Sequence, residues 1–113
     1  MKPANERLLR ALRTKLSDTE KVEERALFQG ISFMVDGKLC IGVRGDEIMC
    51  RVGPHVYAEA LEKNGVRPMM HGKSAMKGYV FVDESALGRD ADLQYWVDLC
   101  LAFNPEAKAS KKK

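Results

Sequence analysis

The chain has 113 residues, 45% of them hydrophobic and 31% charged, enough for one domain with one modest core. Its apolar runs fall well short of the roughly 20 residues that span a bilayer, and the N-terminal MKPANERLLRALRTKL interleaves Arg and Lys with Leu where a secretory signal is uninterrupted, so the cytoplasm is the expected compartment. Net charge is +3, but residues 1–19 carry five basic and two acidic side chains, residues 106–113 four and one, and the middle 10 and 13, which disfavours a DNA-reading fold and leaves only basic arms for phosphate.

The first element is an amphipathic helix. In NERLLRALRTKL, Leu8, Leu9, Leu12 and Leu16 recur at helical spacing while Arg7, Arg10, Arg13 and Lys15 cover the remaining arc. Asn5 is the expected N-cap, and Glu6 stands four residues before Arg10 for an ion pair. The following SDTEKVEER reads either as an extension of this helix or as a second helical turn capped by Asp18 or Thr19.

From Ala26 the period changes to two. Ile31, Phe33 and Val35 alternate with Ser32 and Met34; Leu39, Ile41 and Val43 alternate with Cys40 and Gly42. The intervening Asp36-Gly37 is a hairpin signal, because a type I′ turn needs positive φ at both central residues. Gly45 and Asp46 make a second turn, and EIMCRV continues as a third strand with Ile48, Cys50 and Val52 on one face.

PHVYAEALEKNG predicts a short helix with Pro54 at its first position, Glu59 paired to Lys63, and Asn64-Gly65 as the C-cap. VRPMMHG and MKGYVFVDE predict two further strands, the first short or at an edge because of Pro68. DADLQYWVDLCLAFN predicts a last helix capped by Asp90, with Leu93, Trp96, Val97, Cys100 and Leu101 as its stripe, stopped by Pro105. Leu99 and Phe103 widen that stripe, which fits either a helix wedged between neighbours or a homodimer surface.

The order α-β-β-β-α-β-β-α makes a two-layer α+β sandwich, an antiparallel sheet with helices on one face. The expected divisions are a basic helix over 1–19, a folded domain over 20–105 and a disordered Lys-rich tail over 106–113.

The succession RALFQGISFMVDGKLCIGVRGDEIMCRV, then RPMMHGKSAMKGYVFVD, then LQYWVDLCLAF resembles the TfoX/Sxy N-terminal domain family from Arg25 to Phe103. The most specific parts are Phe28 and Gly30 ahead of Asp36-Gly37, and the block Met76, Lys77, Gly78, Tyr79, Val80. The resemblance implies a compact α/β domain with an antiparallel sheet, grouped with folds like those of secretion chaperones, and a place among regulators of natural competence. In such regulators a second, helical domain follows; this chain ends at Lys113, so a role needing both halves is not carried over. The resemblance brings no catalytic residues with it.

The residues support no enzyme either. Gly72, Lys73 and Ser74 match the end of a P-loop, but Arg67 stands where its first glycine belongs and a strand follows where a helix is required, so a hairpin turn is expected. Ser74 or Ser85 with His55 or His71 lacks any nucleophile-elbow context, and both histidines read as exposed loop residues. Asp83 and Glu84 suit capping at a strand end. Cys40, Cys50 and Cys100 are odd in number, without a CxxC pair, and read as buried free thiols. No catalytic residue, metal ligand or cofactor is therefore expected. The expected function is a regulatory or protein-interaction module with an unidentified protein partner, and the alternative is weak, nonspecific nucleic-acid binding through the basic arms; no membrane is expected as a partner.

Overall fold

The computed structural model describes residues 3–27 and 29–107. Of the tail expected over 106–113, residues 108–113 lie outside the described residues, as does Phe28 of the family-marking stretch, whereas Glu106 ends a 3-10 turn and Ala107 is buried. The elements in chain order are α1 (Glu6–Lys15), β1 (Val22–Leu27), β2 (Gly30–Val35), β3 (Lys38–Arg44), β4 (Glu47–Arg51), α2 (Tyr57–Leu61), β5 (Val66–His71), β6 (Ser74–Asp83) and α3 (Asp90–Phe103), with single 3-10 turns at Glu84–Ala86 and Asn104–Glu106. All six strands form one antiparallel sheet in the order β1-β2-β3-β4-β6-β5. The α+β class holds, with one strand more than the sequence pattern suggests.

That extra strand replaces the expected helical continuation through SDTEKVEER. The chain leaves α1 in tight turns, Ser17 N–H to Thr14 C=O and Thr19 N–H to Leu16 C=O, passes Lys21 at φ 60°, and lies down as β1 against β2. As the outermost strand, β1 exposes Glu23, Glu24, Arg25 and Ala26 and half-buries only Val22 and Leu27. With neither face fully covered, no apolar alternation is written into it.

Asn5 does cap α1: its side-chain oxygen accepts from the backbone N–H of Arg7 at 2.9 Å and of Leu8 at 3.1 Å. Leu8, Leu9, Leu12 and Leu16 are all buried in the main core together with sheet residues and α3, so α1 is part of the helical layer in space. The Asp36-Gly37 hairpin forms as expected, with φ of 54° and 76°. A bulge between Phe33 and Met34 shifts the β2–β3 register, so that Met34 faces Leu39 while Phe33 faces Ile41. Cys40 and Ile41 both reach the main core in consequence, and Leu39 turns to the opposite side, not to the face of Ile41 and Val43 that strict alternation implies.

α2 is shorter than the sequence suggests. Pro54 and His55 precede it, and its first turn closes with Ala60 N–H on Val56 C=O. It tightens into Glu62 N–H to Glu59 C=O and Lys63 N–H to Ala60 C=O, and Gly65, at φ 77°, turns the chain into β5 without capping the helix. At α3 the cap also moves by one residue. Asp90 is the first helical residue, Arg89 is the cap position, and Asp92 closes the box by accepting from the Arg89 backbone N–H at 3.1 Å.

The wide stripe of α3 is used inside the chain. Leu93, Trp96, Val97 and Cys100 are buried, Leu99 and Leu101 pack against the same core, and the helix lies against α1, β3 and β4. The wedged arrangement therefore accounts for Leu99, and Phe103 reaches over Gly53.

Candidate functional site

Two clusters divide the apolar residues between the faces of the sheet. The main core lies under the helices. The second, Met34, Leu39, Met49, Met69 and Phe81 with Leu27, Met76 and Tyr79 against it, draws every member from strands. A one-sided antiparallel sheet normally turns polar side chains to water on its outer face; here that face is apolar at its centre and closed by arginine. The guanidinium carbons of Arg44 and Arg67 lie 4.2 and 4.8 Å from the Phe81 ring centroid, and Glu47 pairs with both arginines. Cross-strand register puts Arg25, Arg44, Arg51 and Arg67 on this face with Glu23, Glu47 and Asp83. Met70, half exposed at 50%, stands beside it near the tip of the β5–β6 hairpin.

At one end of this face a cavity of about 360 Å³ opens between the end of β4, the middle of β6 and the end of α3. Its floor is backbone. Gly78 C=O accepts from the N–H groups of Val52 at 2.8 Å and Gly53 at 3.1 Å, and a Cβ on Gly53 would fall 2.3 Å from the Phe103 ring. Tyr79 and Phe103 form the sides, with the Arg51 guanidinium carbon 5.3 and 5.8 Å from their centroids. His55, Lys77 and Glu106 stand at the rim. A larger groove of about 830 Å³ separates the α2–β5 turn from the start of α3. Three of its charged groups are engaged: Arg89 holds Asp92 at 2.7 Å, and Lys63 lies 4.9 Å from the Tyr95 ring.

Gly72 and Lys73 form the tight hairpin between β5 and β6, Ser74 begins β6, and no helix follows, so the P-loop fragment is a turn. His71 and Ser74 are cross-strand neighbours in that hairpin, both exposed, and no side-chain hydrogen bond joins them among the described residues. His55 is exposed as well. Asp83 caps the 3-10 turn by accepting from Ser85 N–H at 2.9 Å, and the Ser85 side chain and amide hold its carboxyl below the usual range. Glu84 receives the Arg7 guanidinium at 3.0 Å.

The three cysteines are free and buried, as the sequence suggests, but they are not scattered. All three lie in the main core, with the Cys50 and Cys40 thiols each near enough to Cys100 for their charges to act on one another. Burial raises the Cys40 thiol far above its ordinary pKa and does the same to Cys100, aided by the contact with Cys50. Such thiols stay protonated and unreactive. Among the described residues no group of three His, Cys, Asp or Glu side chains could hold a metal ion, and no helix is long and apolar enough to cross a membrane.

Neither the arginine-roofed cluster nor the glycine-floored cavity is visible in the sequence reading. Lys77, Gly78 and Tyr79 stand out there only as a family mark. A signal did exist in the methionines: Met34, Met49 and Met69 lie at positions where a one-sided sheet would place polar residues.

A family model described as the TfoX N-terminal domain matches residues 14–104. No curated protein and no solved structure gives a significant match.

Proposed function

The chain belongs to the TfoX N-terminal domain family, a competence-regulator-like domain, and from that footing we propose that it is a non-enzymatic regulatory module that binds a protein partner through the sheet face opposite its helices. One observation carries the reading: an apolar, methionine-rich cluster lies on the helix-free face under a roof of two arginines. Methionine side chains repack around varied apolar shapes. Four arginines against three carboxylates on the same face favour a partner segment that is acidic around an apolar anchor.

The basic helix supports this ranking over nucleic-acid binding. Arg7 is tied to Glu84 at 3.0 Å, Arg13 to Glu24 at 2.7 Å and Lys15 to Asp90 at 2.8 Å, so most of its charge is spent inside the fold. The test is affinity capture from the native lysate with three baits: wild type, Arg25→Glu/Arg67→Glu on the sheet face, and Arg10→Glu/Lys63→Glu on the helical side. A protein retained by the wild type and the helical-side variant but lost from the sheet-face variant is the expected result. Retention by all three, or loss from the helical-side variant alone, overturns it. A labelled duplex that shifts at low salt with wild type but not with Arg7→Gln/Arg10→Gln/Arg13→Gln favours the nucleic-acid reading instead.

A further inference from the structure

We propose that the cavity between Gly53, Gly78, Tyr79 and Phe103 is a binding site for a small organic anion carrying a flat ring, of the aromatic or heteroaromatic carboxylate class. The cavity lies at one end of the sheet face proposed for a partner and shares Arg51 with it, but a small ligand there requires no protein partner. Its volume of about 360 Å³ suits one ring system with one charged substituent, near the lower end of the roughly 300–1,000 Å³ typical of small-molecule sites.

The floor is made for close approach. Val52 and Gly53 both donate to Gly78 C=O, so two backbone segments are held together there with no Cβ between them. A side chain at Gly53 would collide with the Phe103 ring, and one at Gly78 would stand 3.2 Å from the Gly53 carbonyl carbon. Tyr79 and Phe103, both half-buried, offer two ring surfaces, and both already lie within cation–π range of the Arg51 guanidinium. A flat ring seated beside them gains offset or edge-to-face contact that a saturated ring of equal volume lacks.

Charge selects the sign of the ligand. Arg51 and Lys77 are basic side chains, His55 adds an imidazole, and Glu106 is the acidic side chain of the lining. Lys77 is exposed and has no ion-pair partner among the described residues. A carboxylate held at the Lys77 rim with its ring inward satisfies both the charge and the aromatic walls. Lys77, Gly78 and Tyr79, consecutive in the block that marks the family, then supply rim, floor and wall of one site.

The test uses the full chain labelled with 15N. Benzoate and indole-3-carboxylate are titrated against cyclohexanecarboxylate, benzamide and inorganic phosphate while the amide spectrum is followed. The expected result is saturable shifts centred on Gly53, Gly78 and Tyr79 with the aromatic carboxylates, at about millimolar dissociation constants. Affinity should fall at least about five-fold in Lys77→Gln and in Phe103→Leu, and for the two probes lacking either ring flatness or charge. The spectrum reports in the same experiment that each variant is folded. Diffuse or non-saturating shifts, an equal response to benzamide or phosphate, or undiminished binding by folded Lys77→Gln would overturn the assignment.

Discussion

Gly53 and Gly78 meet backbone to backbone: the Gly53 N–H donates to Gly78 C=O at 3.1 Å, and both residues sit in the left-handed region, at φ 89° and 95°. The contact joins the end of β4 to a kink in β6 and leaves room for the Phe103 ring. It explains physically why the Met76, Lys77, Gly78 block requires a glycine. Gly78→Ala should destabilise the chain by about 1–3 kcal/mol, the cost of holding an ordinary residue at such a φ. Gly53→Ala should cost more, because the Phe103 ring must also leave. Urea denaturation midpoints measure both; a midpoint unchanged in either variant contradicts this geometry.

α1 is expected to be structural despite its basic surface. Leu12 has no exposed surface and sits among α3 and sheet residues. Leu12→Ala should cost about 2–5 kcal/mol, whereas exposed Arg10→Ala should fall within about 0.5 kcal/mol of wild type. Equal effects in thermal or chemical denaturation would mean that the helix is an appended arm.

Much of the architecture was legible because the burial is one-sided and periodic. The stripe of Leu8 and Leu12, the Asp36-Gly37 turn and the stripe of Trp96 and Cys100 each state their element directly. β1 was not legible, since Glu23, Glu24 and Arg25 face water at the sheet edge and carry no alternation. α2 is shorter than its sequence implies because Pro54 and Asn64-Gly65, good helix punctuation in general, here belong to the flanking turns. The cavity could not be read from the sequence, because Arg51, Lys77 and Phe103 are far apart in the chain and meet only once β4 pairs with β6 and α3 closes over Gly53. The second cluster is hidden in the sequence because Met34 and Met49 occupy the outward half of an alternation, where polar residues are the rule.

The buried thiols predict both chemistry and pH dependence. Cys40 and Cys100 should resist alkylation by iodoacetamide in the native state and react only on unfolding. Their folded pKa values are raised, so the stability they contribute is complete below the unfolded-thiol value of about 8.5 and is lost as pH climbs above it. Denaturation free energy should therefore fall from about pH 8.5 upward, by up to roughly 1.4 kcal/mol per pH unit for each thiol. The slope should flatten in Cys40→Ala, whatever that variant's baseline stability. Rapid native-state labelling, or an unchanged slope, contradicts the burial.

Arg13 grips Glu24 through two hydrogen bonds of 2.7 and 2.9 Å, fixing α1 to the edge strand, and this pairing holds the Glu24 carboxyl below its ordinary pKa. The stability so gained is present above the ordinary carboxylate pKa and disappears as pH falls through the lowered one. In Arg13→Gln the Glu24 side-chain carboxyl should titrate at higher pH, back toward the ordinary range, by carbon-detected NMR. An unmoved titration would show that the pair does not form in solution.

The proposed partner face is tested most directly by position-specific photocrosslinking in the native host. A benzophenone amino acid replaces Arg25, on the helix-free face, or Arg10, on the exposed side of α1. The account predicts a discrete protein adduct on illumination from position 25, absent from position 10 and abolished when Arg67→Glu is added. Adducts from position 10 alone, or an adduct from position 25 that persists with Arg67→Glu, would contradict it.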